Sequence, residues 1–264
     1  MTIPLDIDAS ESGLGSWSIL TGYRGSIAHN MYVPKNDPNS IDDKDVMAVC
    51  VPSKSYYLGT DSYGHQGNGT KEIKRAEWDI VIYEARKMIS LLKKGNPNVL
   101  SMLWLDEKHY LHRTPAGDLL IQNRDLFVGQ HVYHSFVGYA HGQLHRMTHL
   151  ATDAAYMGKK RREVVQEHGY DTKNAAHLIR ILRMGAEFLK DGYLHVARPD
   201  NNQLLDIKRG EWTLDQVKAE AERQFIRAQE AFDRSTLPLQ PDSVYVNGLC
   251  VRIIETAWAE RGGE

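Results

Sequence analysis

Only two cysteines, Cys50 and Cys250, occur among the 264 residues. Neither belongs to a CxxC pair, so neither a zinc knuckle nor a disulfide-stapled scaffold is indicated. No apolar run approaches the roughly 20 residues of a membrane-spanning helix. The N-terminus, Met-Thr-Ile-Pro-Leu-Asp-Ile-Asp, lacks the basic start and apolar stretch of a signal peptide. A reduced, cytoplasmic setting away from the membrane is the expectation. Net charge is only −2, so bulk charge does not mark the chain as a polyanion binder. Cations cluster locally instead, in Lys71-Glu-Ile-Lys-Arg and Gly158-Lys-Lys-Arg-Arg, and such patches bind phosphate without a basic isoelectric point. Internal repeats and low-complexity tracts are absent too. What remains is an ordinary globular composition, 42% hydrophobic and 25% charged, in a chain long enough for a sizeable core.

The first hundred residues alternate short apolar runs with turn signals. Strands are predicted over Ser16–Tyr23, Asp45–Val51 and Trp78–Tyr83, with residues 52–75 as a polar, glycine-rich loop or hairpin. Glu84–Lys94 has helical spacing, and Gly95-Asn96-Pro97 ends it. Beyond about residue 120 the spacing is helical, over Gly129–Leu150, Lys159–His168, Lys173–Lys190, Leu214–Asp233 and Asp242–Ala259. Asp171-Thr172 supplies a cap for the third of these. A small N-terminal sheet followed by helices is an α+β arrangement. Its expected division is a catalytic core over residues 1–120 and a helical region over 121–264, packed against that core.

The densest chemistry lies in Thr21-Gly-Tyr-Arg-Gly-Ser-Ile-Ala-His-Asn and Ile41-Asp-Asp-Lys-Asp-Val-Met-Ala-Val. Strand alternation puts Asp43 and Asp45 on one face, ~7 Å apart, and turns Asp42 the other way, which favours Asp43 over Asp42 as the first ligand while the long preceding loop leaves both open. Two carboxylates on one face repel each other, and a divalent cation such as Mg2+ (or Mn2+) turns that repulsion into binding. Gly25-Ser26 follows a strand and opens a short helical stretch. Glycine lets backbone approach a phosphate, and the first amides with a serine hydroxyl form an anion site. A nucleoside triphosphate therefore fits between Gly25-Ser26 and Asp43/Asp45.

Gly-Ser followed by Asp-x-Asp resembles the signature of DNA polymerase beta superfamily nucleotidyltransferases. Further blocks resemble one branch of it, the RNA-repair-pathway-associated (RlaP-like) enzymes of bacteria and phages. They are Asp79–Leu100, Phe136-Val-Gly-Tyr-Ala-His-Gly-Gln-Leu, Gly158-Lys-Lys-Arg with Gly169-Tyr-Asp-Thr-Lys-Asn-Ala-Ala-His-Leu-Ile-Arg, and Leu204-Leu-Asp-Ile-Lys-Arg-Gly-Glu-Trp. The resemblance covers roughly residues 20–230. This chain departs from the branch at Asn30, where a glycine is usual, at Met47-Ala48, and in a longer stretch before Asp-x-Asp. The resemblance implies a mixed-sheet nucleotidyltransferase palm and transfer of a nucleoside monophosphate from an NTP, ATP included, to an acceptor hydroxyl, with an RNA (tRNA) end as acceptor. It also implies a third acid on a neighbouring strand. Asp79 is favoured, with Glu77 and Glu84 as rivals. Rival functions are transfer to a protein or small molecule, and a non-catalytic nucleotide- or RNA-binding module.

Lys173, His177 and Arg180 fall on one face of a predicted helix otherwise apolar at Ala176, Leu178, Ile179 and Leu182. That face is expected to meet the nucleotide. Lys160, in the Lys159–Arg162 run, joins it as a candidate phosphate contact in the family setting. Arg24 carries no assignment. His141, His145 and His149 stand one turn apart, but His-Gly-Gln-Leu-His lacks the glutamate of a zinc protease, and packing or surface is their expected place. Trp78, Trp104, Trp212 and Trp258 are expected in the core.

Overall fold

The computed structural model describes residues 14–15, 17–34, 42–149 and 159–263, without the side chains at 148–149 and 159–160. In chain order the elements are β1 (Ser18–Tyr23), α1 (Gly25–Ala28), β2 (Lys44–Cys50), α2 (Ser55–Leu58), β3 (Thr70–Arg75) and β4 (Trp78–Glu84). Then come α3 (Ala85–Lys93), α4 (Pro97–Leu100), β5 (Tyr110–Arg113) and α5 (Pro115–Gln122). The remainder is α6 (Val132–His149), α7 (Lys159–His168), α8 (Thr172–Asp191), α9 (Asn201–Lys208), α10 (Leu214–Arg234) and α11 (Ser243–Glu260). The α+β reading holds.

The sheet runs β3-β4-β2-β1-β5. β2 and β4 are parallel, and the other pairings are antiparallel. Central β2 reads Lys-Asp-Val-Met-Ala-Val-Cys and is buried from Val46 onward, the place where β-branched and apolar residues suit a strand covered on both faces. Alternation divides its side chains. Met47 and Val49, with Val81 of β4, join the cluster shared with the helices. Val46, Ala48 and Cys50, with Ile80 and Ile82, pack on the opposite face with Tyr23, Tyr63 and Trp78. Asp45 shares the parity of Met47, and Asp79 that of Val81, so both carboxylates leave the sheet on its helical side.

The helical side centres on α8, which packs against α6, α9 and α10. Asp171 caps α8 by accepting from the Asn174 amide at 3.0 Å, and left-handed Gly192 ends it. α11 lies against α3 and α5. One buried cluster runs from Ile19 to Ala257, and the boundary expected near residue 120 falls inside α5. Trp78 and Trp104 are buried, and Trp212 and Trp258 pack on the core. Both cysteines are buried and free.

Besides the four-residue α2 and α4, three elements are absent from the periodicity reading. β5 has only four residues, too few for alternation to register. α5 has eight, started by Thr114 as cap and Pro115 at its first turn. α9 also has eight. Of the stretch read as loop or hairpin, Thr70–Arg75 forms one arm of a hairpin with β4, and Ser55–Leu58 is helical.

Candidate active site

Asp45 and Asp79 are register partners across the parallel pair β2/β4. Arg24, directly after β1, spans them. Its amide donates to the Asp45 carbonyl at 2.9 Å. Its Nη2 lies 3.3 Å from Asp79 Oδ1 and 3.9 Å from Asp45 Oδ1, and Lys74 Nζ stands 3.7 Å from Asp79. The rivals for the third acid are engaged elsewhere. Glu77 pairs with Lys44. Glu84 is buried and caps α3, accepting from the amides of Arg86 and Lys87 and from the Tyr57 hydroxyl. Burial pushes the Asp45 carboxyl up to about 6; Arg24 and Lys173 oppose the shift, while Asp79 and Asp43 add to it. Asp43 precedes β2 and is exposed. It does not line the cavity beside Asp45, although its charge bears on Asp45.

That cavity measures about 260 Å³. At its mouth Gly25 adopts φ +60, and a Cβ there would sit 2.2 Å from Asp45 Oδ2. Only glycine accommodates both the left-handed backbone and the close carboxylate. Ser26 lines the cavity, its Oγ buried and without a hydrogen-bond partner among the described residues. Lys173, His177 and Arg180 of α8 line the same cavity, so the structure brings together Gly25, Ser26, Asp45 and the basic face. Asn98, Ser101 and Tyr139 also contribute. Asn30, at the position where the branch has glycine, takes φ 57, the left-handed region that asparagine tolerates better than most residues.

Asp42 does not turn away. It lines the cavity beside Asp45 and is 2% exposed. The strand begins at Lys44, so alternation does not reach back to it. Its carboxylate accepts from Lys208 Nζ and, at 3.0 Å, from the Val33 amide, and Lys173 Nζ lies 3.6 Å away. Lys208 also donates to the Met31 carbonyl at 2.9 Å. It thereby ties together both flanks of the segment leading to β2. Burial lowers the Lys208 pKa, and Asp42 opposes that shift. Removing one partner of a buried pair strands the other charge, so Asp42→Asn is expected to cost about 3–5 kcal/mol of stability. Denaturant unfolding measures this; an unchanged midpoint would remove the structural role.

His29 Nδ1 lies 2.8 Å from the Val196 carbonyl. A carbonyl only accepts, so Nδ1 carries the proton and Nε2 is left as an acceptor. Arg180 Nη1 donates to it at 2.6 Å. Burial, then Arg180, holds both His29 and His177 well below the ordinary histidine range, so both rings are neutral. Burial and Arg198 pull Arg180 down to about 9.

Lys160 lies on α7, and its side chain falls outside the described ones. Its neighbour Arg161 pairs with Asp171 at 2.7 Å. His141 stacks on Phe225 with ring centroids 4.5 Å apart, and the side chain of His149 falls outside the described ones. Sequence reasoning did not place His29 or Lys208 at the site, and it held Asp42 only as the rival of Asp43 for the first ligand. His29 stands one turn after Gly25-Ser26, and Lys208 lies within the Leu204–Trp212 block; both signals were in view.

Asp45 and Asp79 present carboxylate oxygens at this junction, where Arg24 and Lys74 stand beside them, and Asp43 is close enough to act on Asp45. Among the described residues no group of three or more His, Cys, Asp or Glu converges to hold a metal ion. Magnesium nevertheless needs only one or two carboxylates when waters and substrate phosphates complete its shell, so the donor set fits a hard divalent cation once Arg24 moves aside. No described helix is long and apolar enough to cross a membrane.

The comparison with curated proteins finds no similar one. The family model described as RlaP, RNA repair pathway DNA polymerase beta family, matches residues 36–252. That span holds β2 and β4 with their carboxylates, and the basic face of α8, within a mixed sheet backed by helices. The chain belongs to the RNA repair pathway DNA polymerase beta family.

Proposed function

We propose that the protein is a metal-dependent nucleotidyltransferase that moves a nucleoside monophosphate from an NTP to an acceptor hydroxyl, and that the acceptor is an RNA end. Family membership supports nucleotidyl transfer. The carrying observation is the shared cavity, in which an acidic edge at Asp45 meets a wall of Lys173, His177 and Arg180 across the Gly25-Ser26 turn. Gly25 lets phosphate approach backbone, and the Ser26 hydroxyl donates to it. Cations of α8 offset the charge of the triphosphate and the acceptor. Asp45, Asp79 and Asp43 would hold Mg2+ or Mn2+. When bound, the metal lowers the pKa of the attacking hydroxyl and neutralises the leaving pyrophosphate.

The test is incubation with each labelled NTP and Mg2+, following pyrophosphate release and label transfer to RNA ends, aminoglycosides and proteins. Labelled RNA is the expected result. Label on a small molecule or protein alone replaces the acceptor. No pyrophosphate release with any NTP leaves a non-catalytic binding module.

The pH profile carries a second expectation. Cation binding needs the Asp45 carboxylate, whose pKa is raised to about 6. Turnover is therefore expected to fall as pH drops through about 6. Arg24 opposes the upward shift, so Arg24→Gln should move that acid limb to higher pH. A limb that stays in place would detach Arg24 from the ionisation of Asp45.

A further inference from the structure

Arg180 is buried, 7% exposed, and no carboxylate pairs with it among the described residues. Its guanidinium meets two neutral acceptors, Nε2 of His29 at 2.6 Å and Sδ of Met184 at 3.2 Å. The neighbouring acids are committed to other arginines. Glu187 holds Arg198, and Asp200 is shared by Arg198 and Arg183. An enclosed guanidinium without a counter-ion is costly, and it opens onto a cavity where Ser26 Oγ and His177 Nε2 are buried without hydrogen-bond partners among the described residues.

We propose that Arg180 is a preformed receptor for the pyrophosphate portion of the nucleotide, and that His29 is the positioning residue that aims it. This rests on the reading of the cavity as the nucleotide site. His29 is built for the task. Its amide bonds the Gly25 carbonyl at 3.2 Å, its Nδ1–H is fixed by Val196, and its Nε2 holds Arg180. One side chain thus sets the distance between the Gly25-Ser26 turn and the cation on α8. Because the ring is neutral, it orients the guanidinium without discharging it. The enclosure of Arg180 suits the end of a polyphosphate better than the backbone of a long strand.

Calorimetry with inorganic pyrophosphate in EDTA, on the full chain, tests this apart from catalysis. Arg180→Gln is expected to weaken binding about 10- to 100-fold, and His29→Leu about tenfold. His29→Gln, which restores an acceptor near the position of Nε2, should recover most of the loss. Melting supplies the control: Arg180→Met should melt no earlier than wild type without ligand, and should lose the rise in Tm that pyrophosphate gives wild type. The receptor is overturned by wild type failing to bind pyrophosphate, or by Arg180→Gln or His29→Leu binding it as wild type does. It is also overturned if Arg180→Gln loses affinity only for a 5′-phosphorylated oligoribonucleotide, since the cation would then serve the acceptor. Pyrophosphate binding through Arg180 without turnover of any NTP would sink the transfer reading and leave the receptor standing.

Discussion

Asp45→Asn is expected to lower nucleotidyl transfer by about 10²- to 10³-fold or more with the fold intact. The substitution keeps shape and removes charge. Its main-chain carbonyl, which anchors the Arg24 amide, is untouched, and the apolar side chains that hold β2 begin at Val46. The stability change has a definite sign. The folded-state pKa of Asp45, about 6, lies above its ordinary 3.8, so the folded chain binds this proton more tightly than the unfolded chain. The contribution is present below the unfolded value and is lost as pH rises through about 6. At pH 8 the ionised carboxylate is a burden that asparagine removes, so Asp45→Asn should melt at or above the wild-type temperature while turnover collapses. Asp79→Asn and Asp43→Asn should also lose turnover. For exposed Asp43 the loss should come with almost no change in stability, the opposite of Asp42→Asn. An Asp45→Asn enzyme with near wild-type turnover would sink the proposed mechanism.

The contrast between Asp43 and Asp42 shows where local pattern stops. Alternation is reliable only inside a hydrogen-bonded strand, where Asp45 and Asp79 share the parity of Met47 and Val81. It fails at Asp42, two residues ahead of β2, where tertiary pairing with Lys208 decides the direction. The long helices were legible because an apolar stripe recurs over many turns; β5, α5 and α9 are too short for that. The basic face of α8 was legible because Lys173, His177 and Arg180 share one side of one helix. What that face meets was not, because His29 and Arg180 are 151 residues apart in the chain, and Lys208 and Asp42 are 166 apart. Neither contact has a local periodicity to announce it. Arg24 follows a strand and precedes a glycine, a setting in which surface exposure and an ion pair look alike in sequence.

Gly25→Val is expected to be nearly as damaging as loss of Asp45, by a steric route. Gly25 holds φ +60, with the position of a Cβ 2.2 Å from Asp45 Oδ2 and 3.0 Å from its Cγ. A β-branched residue is strained in that backbone region by roughly 1–2 kcal/mol, and no rotamer removes a clash made by the Cβ itself. Either α1 moves away from β2 or the Asp45 carboxylate is displaced. Both change the spacing between the Gly25-Ser26 turn and the acids, and a misplacement of ~1 Å at a reacting centre costs on the order of 100-fold in rate. Nucleotide affinity should fall as well, because the added side chain occupies the backbone approach a phosphate needs. Ser26→Ala removes one hydroxyl, leaves every amide and should weaken binding only about 2- to 10-fold. Gly25→Ala should lie between the two, since it meets the same Cβ clash without the branch. The measurement is turnover together with calorimetric affinity for a non-hydrolysable NTP across the three variants. Wild-type affinity in Gly25→Val would place the phosphates away from this turn.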